Sequence, residues 1–371
     1  MVVNVGSSSC KVTIAGASGP EEIDTGDGSP VSWDAARWRE LAGPQGDAFA
    51  PDYVLHRFVH GGGVFHGPTV ITASTRAQLE SVAGLAPLHT AQALTVLDAM
   101  AQAFPDATAI ACFDTTFHES LAPAAYTYAI PPDWRQDHGV RKYGFHGFAH
   151  DYADARAREL VGDPSVRRVL SCHLGSGSSL AAIVDGSSVD TTMGFTPVDG
   201  LVMATRPGSF DAGAILWLLG NTSIDVATMS SALEHSSGLT GLAGHSDMKQ
   251  IMRDAQAGQA HSVLAYDVWL HRLVGKMGDM IATMGGVDLI VFGGGIGERA
   301  SLARAAVAAS FAFLGLELDE SANRANGSDR VISNPRSAVA VAVITAREDL
   351  AMIRRASAAG LLAGATDPRV H

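Results

Sequence analysis

At 371 residues the chain is long enough for two or three domains with a sizeable core. Its formal net charge of −12 argues against a nucleic acid or an anionic membrane as main partner, since both favour clustered Lys and Arg, so any phosphate site has to be a local positive island. Cys10, Cys112 and Cys172 form no paired framework or CxxC pattern, no signal-like segment precedes the first apolar run, and no run approaches the ~20 residues of a membrane span, so the expectation is a soluble protein of a reducing cytoplasm.

In chain order, the stretch from Val2 to Gly16 reads as strand, turn, strand: two apolar runs flank Gly6-Ser7-Ser8-Ser9. Glycine tolerates positive φ and lets backbone N–H groups converge on an anion, with the serine hydroxyls as further donors. Residues 17 to 51 are rich in Gly, Pro, Asp and Ser and read as a variable excursion with one short helix around 33–41. A strand-like run from Tyr53 carries Arg57 in its middle and ends in Gly61-Gly62-Gly63. A charge on a buried strand needs a partner, so Arg57 is either half of an internal ion pair or a guanidinium aimed at an anionic substrate. Helical spacing follows over 74–84 and 90–104, separated by Ala86-Pro87-Leu88-His89, where His89 caps, packs or acts.

The run 107–113 predicts a strand that delivers Asp114 at its carboxyl end, where ligand groups cluster in open α/β sheets; the plainer role is a cap on the following turn. Residues 139–150 are dense in glycine, aromatics and histidine ahead of a helix over 151–161. His146 and His150 have the i, i+4 spacing of a metal pair, but no glutamate lies between them and glycines surround the first, which favours a hydrogen-bonding or proton-carrying histidine over zinc.

Arg168 to Gly186 then repeats the grammar of the opening, with His173 ahead of a turn at Gly175-Ser176-Gly177. Alone this is an ordinary hairpin; repeated, it predicts two related halves and a phosphate cradle. Ser188 to Pro197 leads to a glycine–proline loop around Arg206, a surface charge or a second anion clamp. Helices are expected over 212–220, 226–234 and 259–284, with 237–241 and 244–249 as turns. A strand over 287–292 enters Gly293-Gly294-Gly295-Ile296-Gly297-Glu298 before a helical stretch over 300–314, and a last strand over 338–344 places Glu348 just past its end. Two hairpin loops and one strand–glycine–helix turn make the plan of actin-like kinases and chaperone ATPases, where both halves grip one nucleotide in a cleft.

With these pieces together the chain resembles the acetate kinase family almost from end to end. The motifs that carry the resemblance are Asn4 to Lys11, His56 to Gly62, Ala86 to His89, Phe113-Asp114-Thr115, Gly139 to His150, His173-Leu174-Gly175, Ser188 to Pro197, Thr205-Arg206 and Gly294 to Glu298. The resemblance implies an α/β fold of two actin-like (ribonuclease H-like) domains around a nucleotide cleft. The first would span 1–115 plus 350–371 and hold the carboxylate and phosphoryl side; the second, 116–349, would hold the nucleotide side. It implies a reversible, Mg2+-dependent transfer from ATP to acetate or a close short-chain carboxylate, with Mn2+ able to substitute, in a cytoplasmic homodimer that takes no nucleic acid and no membrane. Arg57, Asp114, His146 and Arg206 would be catalytic. Arg57, Val59, Leu88, His89, Phe145 and Pro197 would bind the acid. Lys11, His173, Gly175, Ser176, Gly177, Asp247, Lys249, Gly294, Gly295 and Gly297 would bind the nucleotide. Asn4, Ser7 and Ser9 would line the phosphoryl path, with Asn4 and Glu348 at the metal.

The chain departs from the family's pattern at Ser176 (usually Asn), Lys249 (usually Arg), Arg299 (usually Asn), Pro207 and Ser209 after Arg206, and Gly63 (usually acidic). Most of these lie on the nucleotide side. Two rivals therefore stay open: a kinase for propionate or another acid, or with another donor, and a non-catalytic actin-like nucleotide switch. The three groups Arg57, His146 and Arg206 speak against the switch, which needs no carboxylate clamp.

Overall fold

The structure, a computed structural model, describes residues 1–5, 10–16, 19–23, 25, 30–42 and 50–362. The chain divides into two compact units: Met1–Glu119 with Arg347–His371, and Ser120–Ala346. Glu348 therefore belongs to the same unit as Asn4 and Arg57.

The first unit holds one sheet of β1 (Val2–Val5), β2 (Cys10–Gly16), β3 (Gly19–Ile23), β4 (Tyr53–Phe58), β5 (Thr69–Val70) and β6 (Thr108–Phe113), in the order β3-β2-β1-β4-β6-β5. The second holds β7 (Arg168–Leu174), β8 (Ser178–Val184), β9 (Ser187–Thr191), β10 (Leu289–Gly293), β11 (Arg330–Val331) and β12 (Ala340–Val343), in the order β11-β12-β10-β7-β8-β9. The two are one plan used twice. Each begins with an antiparallel three-strand meander, continues through two parallel crossovers, and closes on a two-residue strand set antiparallel to the last. The repeat predicted from the two strand–turn–strand openings is thus visible in the pairing of every strand.

The alternation of β7 decides what its two faces do. Leu170, Cys172 and Leu174 join Trp269, Leu273 and Met277 of the helix Ala260–Thr283 in the apolar core of the second unit. Ser171 and His173, one step out of phase, fall on the opposite face, where Ser171 meets the helix Gly147–Val161. In the first unit Val3, Val12, Trp38, Val54 and Met100 pack one cluster and Phe58, Leu79, Leu97 and Phe113 another. No helix among the described residues is long and apolar enough to cross a membrane.

Some expectations shift. β3 lies inside the stretch read as an excursion, because a short strand of sequence Gly-Pro-Glu-Glu-Ile carries no apolar alternation. The helix expected from residue 151 begins at Gly147. The expected turn at 237–241 is the short helix Gly238–Ala243, and the next helix, Met248–Gln256, starts within the expected second turn with Asp247 as its cap. The stretch 300–314 is broken into helix Ser301–Ser310 and a 3-10 turn at Ala312–Leu314.

Candidate active site

In the first unit, adjacent parallel strands bring charge to one place. β4 and β6 are in register with Arg57 opposite Cys112, so Arg57 and Asp114 emerge side by side at the carboxyl ends. The contact is a two-pronged ion pair: Arg57 Nε donates to Asp114 Oδ1 at 2.9 Å and Nη2 to Oδ2 at 2.5 Å. Arg57 Nη1 donates to Asn4 Oδ1 at 2.9 Å and lies 3.6 Å from Glu348 Oε2. Asn4 Nδ2 in turn donates to Glu348 Oε2 at 2.6 Å. Burial pulls the Arg57 pKa down, but the attraction of Asp114 and Glu348 outweighs it and holds the guanidinium above its ordinary value. Among the described residues these hydrogen bonds use three of the fork's five N–H groups. The two alternatives for Arg57 are therefore not exclusive, since an internal pair fixes the plane in which the remaining N–H groups point.

Lys11 pairs with Asn4 in the β1–β2 register and makes an exposed ion pair with Glu22 at 3.5 Å. Val59 is half-buried just past β4. His89 is half-buried in the first turn of the helix Pro87–Ala103, which also contains Leu88. The Leu88 side chain, and Ser7 and Ser9 altogether, lie outside the described residues.

In the second unit the β7–β8 turn is the three residues Gly175-Ser176-Gly177, with Ser176 exposed at its tip and Gly175 N–H donating to Gly177 O at 3.0 Å. A side chain at Gly177 would crowd the imidazole: a Cβ there would lie 3.1 Å from Cε1 and Nε2 of His146. That histidine sits at φ 56°, in the left-handed region a β-carbon disfavours, and is the residue from which the helix Gly147–Val161 starts. Gly144, two residues earlier, stands at φ 77° without the cost a β-carbon brings, so His146 carries a strain that a glycine would not. Its ring lies 4.7 Å from that of His173, and its Nδ1 lies 2.9 Å from Ser179 Oγ.

The Arg206 loop is stitched to this hairpin and to the helix Gly238–Ala243. Ala204 N–H donates to Ser176 O at 3.1 Å, while Leu239 and Thr240 donate to Met203 O and Ala204 O at 2.9 Å each. Gly238 is required here, because a Cβ would fall 2.2 Å from Met203 O. Arg206 is half-buried, its pKa lowered by burial against a smaller opposing pull from Glu234, and Nη1 donates to Pro197 O at 3.4 Å. Among the described residues it has no ion pair, in contrast to Arg57.

The third glycine turn completes the set. Gly294 stands at φ 74°, where a Cβ would come within 2.7 Å of Leu174 O, and Gly295 N lies 3.7 Å from a Cβ built on Gly175. Gly295 and Gly297 follow in the short helix Gly294–Arg299. Phe145 is buried and Pro197 half-buried. Asp247 serves as helix cap, its Oδ1 accepting from Lys249 N–H at 2.9 Å, and both residues are exposed.

One supporting residue escaped sequence reading. Arg304 is buried in the helix Ser301–Ser310, and its Nη1 donates to Gly297 O at 2.7 Å and Glu298 O at 2.9 Å, closing the glycine turn from beneath. Burial, with a smaller push from Arg330, lowers its pKa to about 10. The signal was a lone arginine in an alanine-rich amphipathic run, the same signal that singled out Arg57.

The family model described as the Acetokinase family matches residues 49–354. The chain belongs to the acetokinase family. It is 38% identical to the acetate kinase of Leifsonia xyli subsp. xyli, an alignment covering 96% of this chain and 97% of that protein. The crystal structure of Porphyromonas gingivalis acetate kinase superimposes with a TM-score of 0.82 at 31% identity, covering 97% of this chain and 98% of that one. A propionate kinase from Francisella tularensis gives 0.80 at 31% identity, covering 94% and 89%. The α/β fold of two actin-like domains is thus that of solved acetokinases.

Proposed function

We propose that the chain catalyses reversible, Mg2+-dependent transfer of a phosphoryl group between ATP and acetate, forming ADP and acetyl phosphate. Within the acetokinase family, the observation that carries the reading is the strained His146, held by one ring nitrogen and set against the Gly175–Gly177 turn by the other.

A carboxylate is already nucleophilic at neutral pH, so no general base is needed. A loose transition state instead spreads charge over three equatorial oxygens, and the protein's task is alignment and positive charge. In this reading Arg206 and the open side of Arg57 receive that charge, His146 Nε2–H donates to it, and Asp114 holds the Arg57 plane. Lys11, Asn4, Ser7 and Ser9 line the phosphoryl path. His173, Gly175 to Gly177, Asp247, Lys249 and the Gly294–Gly297 turn take the nucleotide. His89, Val59, Leu88, Phe145 and Pro197 select the acid.

Among the described residues no cluster of three His, Cys, Asp or Glu is placed to hold a metal, and the hard oxygens that would serve Mg2+ are those of Asn4 and Glu348, in contact through Asn4 Nδ2 and Glu348 Oε2. Mg2+ keeps much of its water and takes phosphate oxygens, so one or two side chains suffice, with Asn4 and Glu348 as its holders. Bound there, it would neutralise phosphate charge. Turnover is expected to vanish in EDTA and to return with Mg2+ or Mn2+.

Hydroxylamine trapping of the acyl phosphate across formate, acetate, propionate and butyrate tests the substrate. One methylene is worth only ~1–3 kcal/mol, so propionate should follow acetate without being excluded, and Val59→Ala should narrow the gap. Butyrate as the best acid would refute the assignment of Val59. Gly177→Ala tests the contact with His146, because the imidazole has to give by a few tenths of an ångström. Turnover should fall about tenfold with the thermal midpoint nearly unchanged; unchanged turnover would detach the turn from the chemistry.

The reading includes a homodimer. The helix Ala212–Asn221 buries none of its residues, Leu216 is 70% and Trp217 61% exposed, and Phe210 and Val226, close by in sequence, are exposed too. Exposed large apolar side chains gathered in one stretch of chain support an interface there. Leu216→Asp with Trp217→Ser should convert a dimer to a monomer in sedimentation; a wild-type monomer would contradict the assignment. A cytoplasmic location is part of the same proposal, supported by three free cysteines, of which burial pushes Cys10 up to about 12.

A further inference from the structure

The second histidine of the i, i+4 pair has no part in the mechanism above, yet it is completely buried, and both its ring nitrogens are engaged. His150 Nδ1 lies 2.8 Å from Ser171 Oγ and Nε2 lies 2.7 Å from Ser179 Oγ. Ser179 Oγ also lies 2.9 Å from His146 Nδ1. The four side chains form one line, Ser171–His150–Ser179–His146, whose first three members are each at most 2% exposed. The fold makes the line on purpose of register. His146 and His150 follow each other by one turn at the start of the helix Gly147–Val161, while Ser171 and Ser179 stand on the strands β7 and β8 beneath.

We propose that Ser179 and His150 are positioning residues that hold the His146 imidazole as the tautomer with its proton on Nε2. Hydrogen-bond valence narrows the line to two orders, and the inference rests on the phosphoryl-transfer reading for the choice between them. A serine hydroxyl has one proton. Between two imidazoles, Ser179 can donate to one and accept from the other. If it accepts from His150 Nε2–H, it donates to His146 Nδ1, and the only place left for the proton of neutral His146 is Nε2, the atom that faces Gly177. Ser171 then donates to His150 Nδ1, and every member of the line is satisfied. In the reversed line Ser179 accepts from His146 Nδ1–H, donates to His150 Nε2, and His150 Nδ1–H donates to Ser171; His146 Nε2 then carries a lone pair and repels a phosphoryl oxygen. Switching between the two requires the hydroxyls of Ser171 and Ser179 to turn and both imidazoles to exchange tautomers together, on a line whose first three members are buried. Ser179 and His150 thereby act on the reaction through His146 without touching substrate.

Removing the hydroxyl with Ser179→Ala should lower kcat about 100-fold, with the KM values for acetate and ATP within about threefold. Ser179→Thr, which keeps the hydroxyl on a strand that welcomes β-branching, should recover most of it. In the full-length protein with isotope-labelled histidine, the ring-nitrogen NMR shifts of His146, assigned by their loss in His146→Asn, should report the Nε2–H tautomer in the wild type and in Ser179→Thr. In Ser179→Ala they should report a mixture. His150→Gln, a second break in the line, should act like Ser179→Ala, and neither change should lower activity further in a His146→Asn background. If the tautomer and kcat survive both breaks while His146→Asn is inactive, the positioning role is overturned and the phosphoryl reading stands. If His146→Asn is itself fully active, the phosphoryl reading of His146 fails, and the tautomer measurement alone decides the positioning claim.

Discussion

Arg206→Ala is expected to lower turnover by two to three orders of magnitude while leaving the fold intact, and Arg57→Ala to lose activity and stability together. The two arginines differ in what they leave behind. Arg206 has no ion pair among the described residues and is held by a long bond to Pro197 O, so its removal strands no buried charge. Removing one preorganised cation from a transition state typically costs about 3 kcal/mol or more. Arg57 holds Asp114, whose side chain is 1% exposed, through two bonds. Truncation leaves that carboxylate buried without its two-pronged partner, a defect of about 3–5 kcal/mol. Kinetics and thermal midpoints measured side by side separate the cases. Near-normal turnover in folded Arg206→Ala would remove that residue from the site. A stable Arg57→Ala would show that Asp114 does not depend on it. Arg206→Lys should rescue little if the contact is two-pronged, because an ammonium is a point charge.

The second large effect belongs to His146. Asparagine tolerates the left-handed backbone better than most residues, so His146→Asn should fold at least as well as the wild type, its thermal midpoint not falling. Its turnover should drop about a hundredfold or more, because the amide cannot place a donor where the imidazole Nε2 stands. The split between intact stability and lost kcat is the test. A large loss of stability would mean that His146 is a packing residue, and preserved kcat would mean that its strained backbone serves something else.

Much of the fold was legible because the strands are strongly apolar and their glycine turns repeat. The Val2–Gly16 and Arg168–Gly186 openings, read as one motif used twice, hold the first two strands of the antiparallel meander that begins each sheet. What stayed illegible depended on neighbours that sequence does not reveal. Arg57 and Asp114 are far apart in the chain and meet only because β4 and β6 are adjacent and in register. Glu348 was read as following the last strand of the second half, but the chain crosses back at Arg347, which sets Glu348 beside Asn4. The glycines around His146 argued against zinc for the i, i+4 histidines, whose ring nitrogens lie against Ser171 and Ser179. The role of His150 was hidden because its partners, Ser171 and Ser179, look in sequence like the small residues of any buried strand. Arg304 was overlooked although the argument applied to Arg57, a lone charge in an apolar run, fits it equally well.

The central claim is that a carboxylate oxygen attacks the γ-phosphoryl group of ATP. Acetate labelled with oxygen-18 in its carboxylate, incubated with the full chain, ATP and Mg2+, and followed by phosphorus NMR, tests this most directly. The account predicts ADP and acetyl phosphate in equal amounts, the acetyl phosphate signal carrying the isotope shift of one labelled bridging oxygen. ATP consumed to ADP and free phosphate without labelled acetyl phosphate, in acetate's presence and with the fold confirmed, would contradict it.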